Sequence, residues 1–433
     1  TQEESMHLTR RIPNILLAAV TAAAYIWACF AANFAEQFVC LNSAAAVLGS
    51  AARWIASAGF IALPAALLYG EQRCRAAAIF AVLPATLFGL AFSGPYFAVC
   101  PAETHEIAAY AAVNLSVLAS CTYLAFGGLP TKKEAAGAAK LLPLLLLGVF
   151  PLNIFMQVQP LMTAKFLLFR NFGPWHIFFI LLLVAATVAV YFLLRKKSGE
   201  ERFVALFLLS LALFFQLAAR FSFVRLNDYQ TAKGIVGALP LYVCSFGIML
   251  LPFAIISGSS FFRGALFMIN CPGAIIAFVW PDTGPVTVLH YNVTYFVFSH
   301  ILLFVVTAHL AISLGGAPRR AHLGHLAYAI AAYYLLMVIL NAVAVRFGGG
   351  YDPNFSFVAK CPLPLPLHEL LPVHLGILCF SPPYIAILCA VQFALCLVTY
   401  FLYRLIARLA GGAKGGKGGT PGEIQKISRS TGV

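Results

Sequence analysis

The chain has 433 residues, of which 62% are hydrophobic and 10% charged, whereas a water-soluble domain carries about a quarter of charged residues. That composition excludes an aqueous globular fold and leaves lipid as the main solvent. The net charge of +14 is divided among short basic clusters between apolar blocks, a pattern set by membrane topology, so no nucleic-acid partner is expected.

In chain order, runs of apolar residues bounded by charge or Gly/Pro clusters predict an all-α, polytopic membrane bundle of about twelve spans. They fall near 13–32, 53–70, 76–98, 107–128, 141–159, 175–194, 203–219, 235–257, 264–280, 289–313, 325–345 and 383–406. Two are weakly defined: Arg53 crowds the second, and Cys271-Pro272-Gly273 interrupts the short ninth. The opening TQEESMHLTRR leads straight into a full-length span, which predicts that the first segment is retained. Placing the N-terminus inside puts Arg10/Arg11, Arg73/Arg75, Lys132/Lys133, Arg195/Lys196/Lys197/Arg202, Arg263 and Arg319/Arg320 on the cytoplasmic side, together with the C-terminus. Lys165, Arg170, Arg220 and Arg225 then fall on the opposite side, where the rule alone does not explain them.

The connection 347–380 carries GGGYDPN and CPLPLPLHELLP; its prolines forbid a regular helix and favour an extended path. A loop of this length serves either as a lid or site wall or as a passive surface segment. The Gly/Lys-rich residues 411–433 read as a flexible basic tether.

Polar residues within spans are costly and therefore candidates for function. His300 lies about eleven residues into the tenth span, and Cys244 about nine into the eighth. These two spans run in the same direction, so thiol and imidazole lie at similar depths, about 13–17 Å below the outer end. A neighbouring imidazole can activate a thiol as nucleophile and return the proton to a leaving group, the minimum for acyl transfer; packing is the plainer role for each residue alone. Asn341 could orient His300, donate to an oxyanion or act as interhelical glue. His176 at the mouth of the sixth span, with Arg220 and Arg225 near the next loop, could form a cationic rim for phospholipid head groups, or the arginines could simply snorkel. There is no phosphate-binding Gly loop, no H-E-x-x-H and no cysteine pair at metal-binding spacing, so neither an ATP-driven pump nor a metal or other cofactor is expected.

From about residue 172 onward the chain resembles the YwaF family of bacterial membrane proteins, related to the eukaryotic transmembrane protein 164 acyltransferases. The matching strings, in order, are FGPWHIFFILLL, ALPLYVCS, PGAIIAFVWPD, HYNVTYFVFSH and LNAVAVRFGGGYDPNFSFVAKCP. The resemblance implies a seven-helix membrane domain over 172–410 and, from the eukaryotic branch, cysteine-dependent transfer of a fatty acyl chain between phospholipids. The family histidine falls on His300. Leu241-Tyr242 stand where eukaryotic members carry Cys-His, and Cys244, one turn further along, is the matching thiol. Residues 1–171, with about five spans, resemble nothing known. The leading expectation is a phospholipid acyltransferase with Cys244 as nucleophile, His300 as base and Asn341 as orienter, acting on membrane phospholipids. A transporter or flippase and a non-catalytic structural subunit are the rivals, and the sequence leaves the oligomeric state open.

Overall fold

A long apolar segment in lipid has one low-energy solution, a helix that satisfies its own backbone groups. The computed structural model describes residues 2–30, 44–94, 97, 103–149, 167–226, 239–279, 281, 287, 288, 290–347, 354–362 and 365–412. Among these, ten helices are long and apolar enough to cross a membrane. The chain is an all-α polytopic integral membrane protein.

The helices are α1 (Gln2–Phe30), α2 (Ala44–Ser57), α3 (Gly59–Pro64), α4 (Gln72–Ala77), α5 (Leu83–Ala91), α6 (Thr104–Phe126) and α7 (Lys132–Gly148), then α8 (Pro174–Leu194), α9 (Gly199–Leu226), α10 (Val243–Ile256), α11 (Ser260–Val279), α12 (Tyr291–Ser313), α13 (His322–Phe347) and α14 (Pro382–Gly412). Single π-helical turns, Ala65–Tyr69 and Ala78–Val82, extend α3 and join α4 to α5, so the second and third spans are Val47–Tyr69 and Gln72–Ala91.

Three spans differ from expectation. The second starts earlier, which carries Arg53 into the helix; its side chain is buried, Nε donates to the Gly49 carbonyl (3.2 Å), and the guanidinium lies 5.3 Å from the Tyr110 ring. An aromatic face and a helix carbonyl make the charge tolerable there. The fifth, expected at 141–159, corresponds to α7 only as far as 149 and lies beyond that outside the described residues. The eighth is the shortened α10, whose fourteen residues rise about 21 Å, short of a bilayer core of about 30 Å. Pro240 and the extended Tyr242 (ψ 150°) hold the helix start at Val243. The weak ninth span does form: α11 runs unbroken through Pro272.

By contacts the chain divides into two compact units, neither continuous in sequence: Thr1–Phe169 with Phe207–Gln230 and Pro285–Phe296, and Arg170–Leu206 with Thr231–Gly284 and Val297–Val433. In the first, the rings of Tyr25, Phe60 and Phe215 meet at 4.1–5.8 Å, and Thr21 and Ser120 share a buried hydrogen bond of 3.1 Å. In the second, Met268 and Cys271 of α11, Leu326 and Met337 of α13, and Ile385 and Cys396 of α14 share one core cluster.

Several arginines of the basic clusters have a second duty. Arg75 donates to Leu124 O (3.2 Å) and Gly128 O at the end of α6. Arg202 does the same at the end of α8, reaching Leu194 O and Arg195 O. Arg263 bonds Ile255 O and Leu314 O, both at 2.6 Å, closing α10 and α12. Each cation neutralises carbonyls that a helix end leaves without partners. The tail beyond 412 lies outside the described residues.

Candidate functional site

The site is best built outward from the first turn of α10. Tyr242 is the N-cap and supplies no side-chain cap, so Cys244 occupies the second helical position, among N–H groups that no carbonyl within the helix can reach. The thiol is half-buried, and a Cβ built on Gly273 of α11 would lie 3.5 Å from its sulfur. One turn along the same antiparallel seam, a Cβ at Gly247 would lie 2.6 Å from Asn270 Cγ. Glycines at both levels let α10 and α11 approach closely.

The backbone just before α10 is non-helical, a conformation tolerated at membrane depth only when protein groups satisfy it. Tyr333 of α13 supplies one such group, its hydroxyl donating to Leu241 O at 2.8 Å. Ser356 is the alternative donor to that carbonyl at 3.0 Å; each hydroxyl has one proton, so whichever does not cap Leu241 O donates to the other. Ser356 and Phe357 both have left-handed backbones (φ 50° and 62°), a strain of about 1–3 kcal/mol per residue that persists only where surroundings over-determine it. Here they do. Asn341 Oδ1 accepts from Phe355 N–H (3.0 Å) while Nδ2 donates to Phe355 O (3.3 Å) and Met337 O (2.7 Å). Asn354 Oδ1 accepts from Ala359 N–H and Lys360 N–H, and Tyr384 donates to Phe357 O. The Tyr242 ring lies 6.3 Å and 6.1 Å from those of Phe355 and Phe357. The start of the long connection is therefore packed over the mouth of α10. Its later part forms short 3-10 turns and a hairpin, Val373–Leu375 paired with Leu378–Phe380, rather than a continuous extended path.

His176 and His300 both lie against Phe278 at the far end of α11. His176, in the first turn of α8, is buried; Nδ1 accepts from Phe172 N–H (2.7 Å), and Nε2 donates to Phe278 O in the last turn of α11. The first bond fixes the neutral tautomer that makes the second. His300 in α12 is half-buried, 3.4 Å from Ser299 Oγ through Nδ1 and edge-on to the Phe278 ring at 6.4 Å. Cys244 and His300 thus touch the same helix at positions five residues apart, about 7.5 Å along its axis and about 140° around it. The thiol makes no hydrogen bond to His300 among the described residues.

The family model of the TMEM164 family matches residues 169–403, more than half of the 433 residues. The chain belongs to the TMEM164 family. No curated protein and no solved structure matches it.

Within the TMEM164-family region, the structure gathers Cys244, His300 and His176 along α11 and sets Asn341 apart as the clamp of the 354–360 turn. His176 is an enclosed clasp between two helix ends, not part of an exposed rim. Arg220 lies in the first unit, its guanidinium 5.2 Å from the Tyr295 ring; the side chain of Arg225 lies outside the described residues. Among the described residues no cluster of three or more His, Cys, Asp or Glu is placed to hold a metal ion. Sequence reasoning passed over Asn270, Tyr333 and Ser356. An amide beside Pro-Gly in mid-span was a usable signal for the first. Nothing local marked the other two.

Proposed function

We propose that this TMEM164-family protein is a membrane-embedded phospholipid acyltransferase that carries the acyl group on Cys244, the thiol matching that of the bacterial YwaF branch. The observation carrying this reading is a partly buried cysteine in the first turn of a shortened apolar helix, beside amide groups able to stabilise a thiolate or an oxyanion. The sulfur attacks the ester carbonyl of a donor phospholipid; the carbonyl π electrons move to oxygen, then return as the glycerol C–O bond breaks. The departing oxygen takes up the proton that the thiol gave up and leaves as lysophospholipid, with the acyl chain now in a thioester. An acceptor hydroxyl attacks that thioester, the C–S bond breaks, and the hydroxyl's proton passes to the departing sulfur, restoring the thiol. We assign to His300 the acid and base role on these oxygens, which requires the ester to extend along and around α11 from the thiol at Gly273 to the imidazole at Phe278. The apolar span surfaces suit acyl chains as substrate, and the 354–360 turn, held by Asn341, walls the mouth. Arg220, Arg225 and His176 bear on head groups only indirectly in this reading.

The test is lipid profiling of membranes carrying the wild type, Cys244→Ala or His300→Ala. Loss of acyl exchange in both variants, with normal expression, is expected. Profiles unchanged in both would remove catalysis and leave a structural membrane subunit, while substrate movement without acyl exchange would favour a transporter.

A further inference from the structure

Asn270 stands out among the polar groups of the second unit. It is fully buried, and neither its oxygen nor its nitrogen has a hydrogen-bond partner among the described residues. An amide in an apolar seam is normally satisfied, and one that is not calls for a reason. Interhelical glue is not that reason, because glue requires a partner and the facing position is Gly247.

Register supplies a reason. Asn270 and Gly273 are three residues apart on α11, hence on one face and about 4.5 Å apart along the axis. Gly273 is the position against Cys244, so the unpaired amide lies one turn below the thiol on the same seam. Asn341, a second buried amide of this unit, has its oxygen and nitrogen bound to Phe355. We infer that Asn270 is a catalytic hydrogen-bond donor to the oxyanion formed when an ester or thioester carbonyl is attacked at Cys244. Its Nδ2 turns up the seam to the developing oxygen, and Gly247, by lacking a Cβ, leaves the amide room to sit between turnovers. The inference rests on the acyl-transfer reading of Cys244 and goes further in naming the group that stabilises the tetrahedral intermediate.

The experiment uses the full chain in phospholipid nanodiscs with a donor phospholipid bearing an alkyne-tagged acyl chain. Hydroxylamine-labile label on the Cys244 peptide is followed by mass spectrometry in the wild type, Asn270→Leu and Cys244→Ala. Removing one oxyanion donor slows such steps about 100-fold or more, so Asn270→Leu is expected to load Cys244 about 100-fold more slowly. Alkylation of the same peptide by iodoacetamide, which forms no oxyanion, should proceed at the wild-type rate. The apparent melting temperature should hold or rise, because an apolar side chain replaces an unsatisfied amide. Loading at the wild-type rate overturns the inference. Equal slowing of loading and alkylation, or a clear fall in melting temperature, assigns Asn270 to packing and also overturns it. A wild type that never loads removes the acyl-transfer reading and this inference together; a wild type that loads beside an Asn270→Leu that loads equally removes the inference alone.

Discussion

The two units handle polar groups in lipid by different means. In the first, Tyr110 and Gln216 reach carbonyls of other helices, Gly89 O and Gly148 O, but a second set of buried side chains bonds back to its own helix: Thr86 to Val82 O, Asn114 to Tyr110 O, Ser116 to Val113 O, Ser210 to Phe207 O, all at 2.7–2.8 Å. Such bonds hide a hydroxyl or amide without committing it to anything distant. In the second unit, long-range bonds go to backbone that is not helical or to a helix end: Tyr333 and Ser356 to Leu241, Asn341 to Phe355, His176 to Phe278. Lipid rejects irregular backbone unless protein groups satisfy it. In the second unit that backbone, with buried side chains bonded to it, lies at the start of the shortened α10, beside the candidate site.

The contrast can be broken most directly at Asn341. Asn341→Leu leaves the buried N–H of Phe355 without a partner and its C=O with Val358 N–H alone, a loss of about 3 kcal/mol. The expected readouts are a lower melting temperature and faster tryptic cleavage at Lys360, which the same turn holds; cleavage at the wild-type rate would mean that the turn does not depend on the clamp. Gly247→Ala should cost about 2 kcal/mol by overpacking the Asn270 amide. Combining it with Asn270→Ala should recover most of that loss, and strict additivity of the two would disprove the contact. In the first unit, Thr86→Val should cost about 1 kcal/mol or less, its hydroxyl being bonded only to its own helix, and leave Lys360 cleavage untouched; a large effect there would erase the distinction between the units.

The smallest effect concerns pH. Burial holds the His290 imidazole, which precedes α12 and the span Val293–Ser313, below its ordinary pKa of 6.5. The folded form therefore keeps the ring neutral while the unfolded chain takes up the proton first. Its stabilising share is complete above about pH 6.5 and declines as the pH falls below that value. His290→Gln should flatten that part of the melting-temperature profile, and an unchanged acid slope would assign it to other groups.

Hydropathy and charge were enough to establish lipid as the solvent, helices as the fold, and most of the span boundaries, because each of these depends on residues close together in the chain. The same local logic singled out Cys244, His300, His176 and Asn341, since a polar side chain within an apolar run is expensive whatever it faces. What each faces was decided only by tertiary structure. Arg53 moved from a span boundary into the helix because Tyr110, 57 positions away, offers it an aromatic face. Cys244 moved from mid-helix to a first turn because the extended backbone that Pro240 and Tyr242 begin is satisfied at Leu241 O by hydroxyls from Tyr333 and Ser356, 92 and 115 residues further along. Asn341 took up Phe355, and Asn270 found only Gly247. Periodicity along one helix carries no information about rotation against the next, and that rotation determines which buried groups are satisfied and which are left to act.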